Sequence, residues 1–384
     1  MSINNIELTR RQREKQEEFR DFVDKKIMPI SRQLDEQEEM FETVVQMLIN
    51  NGYWGSEVPL EYGGAGLDSL TYGLLNEEIG RGCANIRNLI GVQGMVTSCI
   101  LRWGNKEQRR KWLPLLSSGK MTAAFALTEP EIGSDAKSIN TTAKLDKVEY
   151  VLNGKKKWIS FGHSADLFLL FAKVDGQIGA FIVERGTPGF SSKPITGLLG
   201  FRGSMIAELT LKECRIPAEN LIGRVGFGLA LVANHGLSNG RYSTAWGALG
   251  LAQACLEACI KYASERKQFD VYLKEHQFIQ QMIAEMVSNI MASKLLCFRA
   301  SQLRDQGDET SILEIAVAKN FSATTAFAAA NNAVQIHGAN GCSADYPVQR
   351  FMRDAKVMEI VEGSTQIQQI IISNGAFKRF RKRK

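Results

Sequence analysis

An α+β chain of three successive zones is predicted by three observations. Apolar residues recur at helical spacing over the first 120 residues. Residues 121–225 break into short runs rich in β-formers. From 226 onward the chain returns to long helical periodicity. The zones read as an N-terminal helical domain (1–120), a middle antiparallel β-domain (121–225) and a C-terminal four-helix bundle with a basic tail (226–384).

Each zone has local signals. "RQREKQEEFRDFVDKKI" places Phe19, Phe22, Val23 and Ile27 on one helical face. "FETVVQMLINNG" ends in Gly52, a helix-stop signal. "VPLEYGGAGLDS" reads as a glycine-rich loop whose Asp68 or Ser69 caps the next helix. In the middle zone, "AAFALT", "EYVLNGKKKWIS", "DLFLLFAKV", "GAFIVE" and "AELTLKECRIP" are short and partly alternating, with no βαβ rhythm. Asn153-Gly154 predicts a hairpin turn of type I′, because that turn needs positive φ at both central residues. Three or four long helices then follow, beginning with "STAWGALGLAQACLEACIKYASERKQF".

Composition excludes several classes. Hydrophobic content of 44% and charged content of 23% are those of a folded soluble chain. No apolar run reaches the roughly 18 residues of a membrane span, and the polar N-terminus is not a secretory signal, so a cytoplasmic location is expected. Seven cysteines form no CxxC pair and four histidines are scattered, so no metal site and mostly buried, reduced thiols are expected. Net charge is +6, much of it in "FKRFRKRK", which reads either as a frayed solvated end or as a contact for an acidic partner. Nothing resembles a nucleic-acid-binding module.

Several segments carry candidate chemistry, each with a plain structural alternative. "FALTEPEIGSDA" offers backbone N–H groups and the Thr128 and Ser134 hydroxyls to a ring edge or phosphate, or is a strand-end loop. "KKKWIS" puts Trp158 and Ser160 on one strand face, where the indole borders a planar cofactor or fills the core. In "GRYSTAWGALG", Arg241 positions an acidic or acyl group, while the small residues allow close helix packing. Arg266 in "ERKQF" and Gln277 in "EHQ" suit a phosphate and an amide partner. "AVQIHGANG" brings Gln335 to a glycine-rich helix exit. In "RDAKVMEIVEGSTQI", Glu362 is either a capping acid or a general base whose pKa burial raises.

Together these segments resemble the acyl-CoA dehydrogenase family of flavoproteins. The similarity runs collinearly through "YGGAG", "TEPEIGSD", "NGKKKWIS", "GFRGSMIAELTLKECRIPAENLIG", "GRYSTAWGALG", "ERKQF", "EHQ", "VQIHGANG" and "MRDAKVMEIVEGSTQIQ". The resemblance implies the acyl-CoA dehydrogenase fold and FAD as cofactor. It implies that Phe125, Leu127, Thr128, Ser134, Trp158 and Ser160 border the isoalloxazine ring. Arg266, Phe269, Gln277, Gln335 and Gly338 would meet the pyrophosphate and adenine side across a dimer interface, and Ser364 and Gln366 would touch FAD near the base. Glu362 matches the catalytic base, with Arg241 and Gly363 beside the substrate. The alternative base position of a second subgroup is Gly240 here. The implied reaction removes an α-proton to Glu362 and a β-hydride to the flavin, with the thioester carbonyl polarised by the Glu362 N–H and a ribityl hydroxyl. Three positions depart from the common pattern: Asp270 and Ala339 stand where glycines are usual, and Val361 where tyrosine is frequent.

Within the family, "NLIGVQGMVTSCI", "GRYSTAWGALG" and "RDAKVMEIVEGSTQI" are similar to the dehydrogenases that make alkoxymalonyl-type extender units on acyl carrier protein for polyketide assembly. The implied substrate is glyceryl-ACP or seryl-ACP, oxidised to the semialdehyde level after tautomerisation of an enediol or its amino analogue. A short-chain acyl-CoA dehydrogenase of fatty-acid or amino-acid breakdown is the second expectation, and a non-catalytic family-shaped binding protein the third. Expected partners are the ACP or CoA thioester, an electron-transferring flavoprotein or O2 as acceptor, and further copies of the chain in a homodimer or homotetramer.

Overall fold

A computed structural model describes residues 8–381. The N-terminal helices are α1 (Arg10–Phe22), α2 (Met28–Gln37), α3 (Glu42–Asn50), α4 (Ser69–Gly82), α5 (Ala84–Trp103) and α6 (Lys106–Ser117). Thr9 and Gln12 cap α1 reciprocally. Phe19, Phe22, Val23 and Ile27 are all buried, although the helix widens to a π-turn over Val23–Ile27. Gly52 has φ +71 just past α3, and Asp68 caps α4 by accepting from the Thr71 N–H at 2.7 Å. These ends lie where the stop and cap signals put them.

The middle of the chain forms one eight-stranded sheet. Its strands are β1 (Ala123–Ala126), β2 (Thr142–Asp146), β3 (Glu149–Ile159), β4 (Leu167–Val174), β5 (Gln177–Glu184), β6 (Phe190–Pro194), β7 (Ala207–Pro217) and β8 (Leu221–Ile222). The order is β6-β7-β3-β2-β4-β5-β8, with β1 also on β4. Pairing is antiparallel except that β4 meets β1 and one residue of β2 in parallel.

The expected Asn153-Gly154 hairpin turn is not there. Both residues lie inside β3, and the reversal occurs at Lys147, φ +57, between β2 and β3. Asn153-Gly154 instead marks a β-bulge where β3 changes register against β7. Asn153 exchanges hydrogen bonds with Glu213 at 2.7 and 2.8 Å, and a Cβ at Gly154 would sit 2.6 Å from Thr141 Oγ1. Cross-strand contacts therefore overrode a local turn preference.

The C-terminal helices are α7 (Asn234–Glu265), α8 (Gln277–Asp305), α9 (Ser311–His337), α10 (Val348–Ile360) and α11 (Thr365–Arg381); a short ribbon of β9 (Lys267–Gln268) and β10 (Val271–Tyr272) joins α7 to α8. The segment read as a frayed tail is helical through Arg381, and its last three residues lie outside the described residues. Every residue of α4 is buried, much of it against α7. The two backbones touch: a Cβ at Gly250 would lie 1.8 Å from Glu77 O. Buried acids on α4 are neutralised by Lys294 on Glu77 at 2.9 Å and Arg81 on Glu78 at 2.7 Å. Among the described residues no helix is long and apolar enough to cross a membrane.

Candidate active site

Glu362 lies in the four-residue break between α10 and α11, at φ +58, followed by Gly363 at φ +92. A left-handed glutamate is uncommon and marks a loop held by its surroundings. The holding groups grip carbonyls. Arg241 Nε donates to Glu362 O at 3.0 Å, and Lys319 Nζ and Gln368 Nε2 each donate to Gly363 O at 2.9 Å. No acceptor among the described residues takes the Glu362 N–H. The carboxylate turns toward α7, where a Cβ at Gly240 would lie 2.6 Å from Oε2 and 2.8 Å from Met95 Sδ. Glycine at 240 is therefore what admits the acid.

Burial pushes the Glu362 carboxyl above the usual carboxylate range, while Arg87, Arg241 and Lys319 pull in the other direction. Burial also brings Lys319 down to about 8 and Arg87 down to about 10, with Glu362 acting against it on both. The capping reading of Glu362 fails on this geometry: its side chain points into a cationic niche between α5 and α7, away from the start of α11.

The expected ring-side residues come together at the edge of the sheet beside α5 and α7. Phe125 meets Phe171 at 5.0 Å between ring centroids, tilted by 50°, and faces Gly236 of α7. Leu127 is buried, Thr128 half-buried and Ser134 exposed on the loop after β1. Lys157 N donates to Thr128 O at 2.9 Å, tying this loop to the end of β3. A buried clamp fixes it further, since Lys156 Nζ reaches Glu129 Oε1 at 2.8 Å and Leu127 O at 3.1 Å. Simple strand alternation does not carry Trp158 and Ser160. A register shift between Lys156 and Ile159 sets Trp158 at φ +62 with 51% of its surface open, so it is no core tryptophan. Ser160 Oγ accepts from Asn88 Nδ2 at 3.2 Å. A half-open indole, with the Thr128 loop tied to its strand and Ser160 two residues on, offers groups that fit a planar ring with polar edges.

The second expected group gathers elsewhere. Arg266, Phe269 and Gln277 lie around the β9–β10 ribbon, and Gln335 and Gly338 at the exit of α9. Tyr262 stacks on His337 at 4.2 Å, which brings these two ends together. Phe269 and Asp270 occupy the turn with φ +53 and +61, so aspartate takes the conformation the missing glycine would have taken, and Phe269 stands 91% exposed. Arg266 lies 25 residues beyond Arg241 along α7, or about 38 Å. The two groups are thus too far apart to share one ligand within one chain. Ser364 sits beside the base and accepts weakly from Ile367 N at 3.4 Å, and Gln366 is exposed.

Sequence reading missed Arg87, Asn88, Met95, Lys319, Gln368 and the Glu129–Lys156 clamp. Its available signal was a lone cation in an apolar helical run, as in "NIRNLIG" and "AVAKNF". Among the described residues no cluster of metal-ligating side chains is present.

Three family models match the chain: the acyl-CoA dehydrogenase N-terminal domain over residues 9–120, the middle domain over 124–214 and the C-terminal domain over 226–377. The short-chain specific acyl-CoA dehydrogenase of Sus scrofa is 37% identical over 368 residues, covering 94% of this chain and 89% of the relative. Butyryl-CoA dehydrogenase from Megasphaera elsdenii superposes with a TM-score of 0.93 at 32% identity, over 97% of this chain and all of that one. The prolyl acyl carrier protein oxidase AnaB superposes with a TM-score of 0.91 at 28% identity, over 96% of this chain and 99% of that one.

Proposed function

The chain belongs to the acyl-CoA dehydrogenase family of FAD-dependent oxidoreductases acting on CH–CH bonds, and from that premise we propose that it dehydrogenates a small acyl thioester at Cα and Cβ, with Glu362 as base. The observation that carries this reading is the Glu362 loop. Its carbonyls are engaged, its N–H has no acceptor among the described residues, and its carboxylate faces Gly240, with Arg87, Arg241 and Lys319 acting on it electrostatically.

The chain's own part in the chemistry follows. A thioester α-proton is too weakly acidic for water to remove at neutral pH. The Glu362 N–H is free to donate to the thioester oxygen and so stabilise the enolate that forms as the proton leaves. Burial of the carboxylate gives the base a pKa nearer neutrality, which improves proton transfer. Arg241 and Lys319 hold the loop by its carbonyls and keep both groups aimed together. FAD, when bound, supplies the acceptor for the β-hydride. In this reading the ring-side residues Phe125, Leu127, Thr128, Ser134, Trp158, Ser160, Ser364 and Gln366 come from one chain, with Gly363 beside the substrate. Arg266, Phe269, Gln277, Gln335 and Gly338 come from a second copy, because about 38 Å separates the groups along α7.

The finer substrate is a three-carbon hydroxyacyl or aminoacyl group on acyl carrier protein, glyceryl-ACP or seryl-ACP, with an electron-transferring flavoprotein or O2 as final acceptor. Similarity to a carrier-protein oxidase supports it, as do the net charge of +6 and a basic C-terminus facing an acidic carrier. The second reading, a short-chain acyl-CoA dehydrogenase, is favoured by the 37% identity to the Sus scrofa enzyme. Mass spectrometry of glyceryl-ACP, seryl-ACP and butyryl-CoA after incubation separates them. Loss of two mass units from the ACP species is expected, and loss from butyryl-CoA alone overturns the carrier-protein reading. A non-catalytic role would require a colourless purified protein that leaves all three unchanged.

A further inference from the structure

The first turns of α6 carry charge that the helix itself disfavours. Lys106 stands at its first position, where a cation opposes the helix dipole, and Arg109 and Arg110 follow three and four residues on, like charges on one face. Arg102 at the end of α5 and Arg224 in the loop before α7 join them. Gln108 Nε2 of α6 ties that loop down, donating to Glu219 O at 2.6 Å and Leu221 O at 2.9 Å. Cations elsewhere on the surface find carboxylates: Arg10 meets Glu14 at 2.8 Å, Arg32 meets Glu36 at 2.7 Å and Arg215 meets Asp146 at 2.9 Å. Among the described residues no carboxylate lies within ion-pairing distance of Arg102, Lys106, Arg109, Arg110, Lys111 or Arg224. Even Glu107, four residues before Lys111, leaves it over the Trp112 ring at 4.2 Å. All six cations are exposed except half-buried Arg109, and they outnumber Glu107 and Glu219, the acids on these segments, three to one.

The patch closes one end of the seam that holds the base. α5 and α7 run antiparallel along it. Met95 faces Gly240, Cys99 faces Gly236 and donates to Val232 O at 3.2 Å, and Trp103 meets Phe227 at 6.4 Å between ring centroids. Arg102 lies over the Trp103 ring at 5.8 Å and Arg224 over the Phe227 ring at 4.5 Å. From the level of the base, Trp103 is eight residues along α5, about 12 Å; Phe227 is thirteen residues back through α7 and the π-turn Gly228–Ala233 before it, about 20 Å. An extended phosphopantetheine arm of about 14 bonds spans roughly 17 Å. With its thioester at Glu362, such an arm is long enough to set its phosphate, and the protein that bears it, at this end of the seam.

We propose that this patch is the docking face for an acidic carrier protein, whose carboxylates meet the six cations while the arm runs along the seam to Glu362. This rests on the carrier-protein reading above and deepens it by naming where the carrier sits. Charge selects the occupant. A second copy of the chain would set six cations against six, and a bare pantetheine arm brings no charge to meet them.

The test loads one acyl group, whichever of glyceryl, seryl and butyryl bleaches the flavin fastest, on an acidic acyl carrier protein, on CoA and on pantetheine. Arg110→Glu with Lys111→Glu should lower kcat/KM for the carrier thioester about 10- to 100-fold relative to the pantetheine thioester, in KM more than in kcat, and Lys106→Glu alone should lower it severalfold. Arg110→Lys should keep the wild-type ratio. Added salt should lower the ratio in wild type, and less in the double variant. Reversing two exposed cations on the sheet, Lys144→Glu with Lys212→Glu, gives the same net charge as the double variant and should leave the ratio at its wild-type value. An unchanged ratio in both patch variants, or an equal fall in the sheet variant, overturns the docking face. An equal fall for the CoA thioester also overturns it, because the patch then reads nucleotide phosphates. Turnover of the CoA thioester with none of the carrier thioester overturns the carrier-protein reading, and bleaching by no thioester overturns the dehydrogenase reading instead.

Discussion

At the residue scale the site is one acid and the groups that set its proton affinity. Glu362→Gln keeps shape and removes the base, so turnover should fall about 10²- to 10⁴-fold or more while the yellow cofactor is retained; flavin absorbance and single-turnover bleaching measure the two separately. Retained turnover would remove Glu362 from the mechanism. In the proposed reaction Glu362 works ionised, and its pKa is raised, so kcat/KM should climb with pH through a limb above the ordinary glutamate range. Lys319 favours the ionised form, and Lys319→Met should therefore move that limb to still higher pH. A pH profile unchanged from wild type would mean that Lys319 serves the loop alone. Glu362 was legible in the sequence because its own loop is contiguous: Gly363, Ser364 and Thr365 follow it directly. Arg87 and Lys319 were not, because each is a single cation in an apolar helix far away in the chain, and only packing of α5, α7 and α9 brings them to the acid.

At the element scale the decisive contact is α4 against α7. Gly250 has Glu77 O where its Cβ would be, so Gly250→Ala forces two helices apart and should cost about 1–3 kcal/mol or more of stability. Thermal unfolding measures it, and a midpoint equal to wild type would show that the helices yield freely. Here the plain reading of the "GRYSTAWGALG" small residues, close packing, is what the structure contains, while Arg241 in the same motif serves the Glu362 loop. Helix ends at Gly52 and Asp68 follow local chemistry and were readable. Asn153-Gly154 was misread because glycine, which suits a type I′ turn, also suits a bulge (here Gly154 at φ +151), and contacts with Thr141 and with Glu213 of β7 chose between them. For Trp158 the core reading fails, since the indole is 51% exposed, and the register shift beside it breaks the two-residue period by which its facing was read.

At the scale of the molecule, the two expected cofactor groups lie at opposite ends of α7, and exposed Phe269 caps the distal one. A shared ligand then needs two copies. Phe269→Glu should weaken self-association and lower the FAD-to-protein ratio together, read by sedimentation and by the visible-to-280-nm absorbance ratio. A fully flavinylated monomer would overturn the two-copy arrangement.

Sequence alone determined the three-zone α+β order, most element ends, the family and the acid proposed as the base, since periodicity, caps and contiguous motifs are local properties of the chain. Tertiary structure alone decided which cations surround that acid, that Gly240 admits it, that Trp158 is open, and that Arg87 is buried without a carboxylate. Those depend on which helix faces meet, and steric contact between residues hundreds of positions apart leaves no periodic trace in either segment.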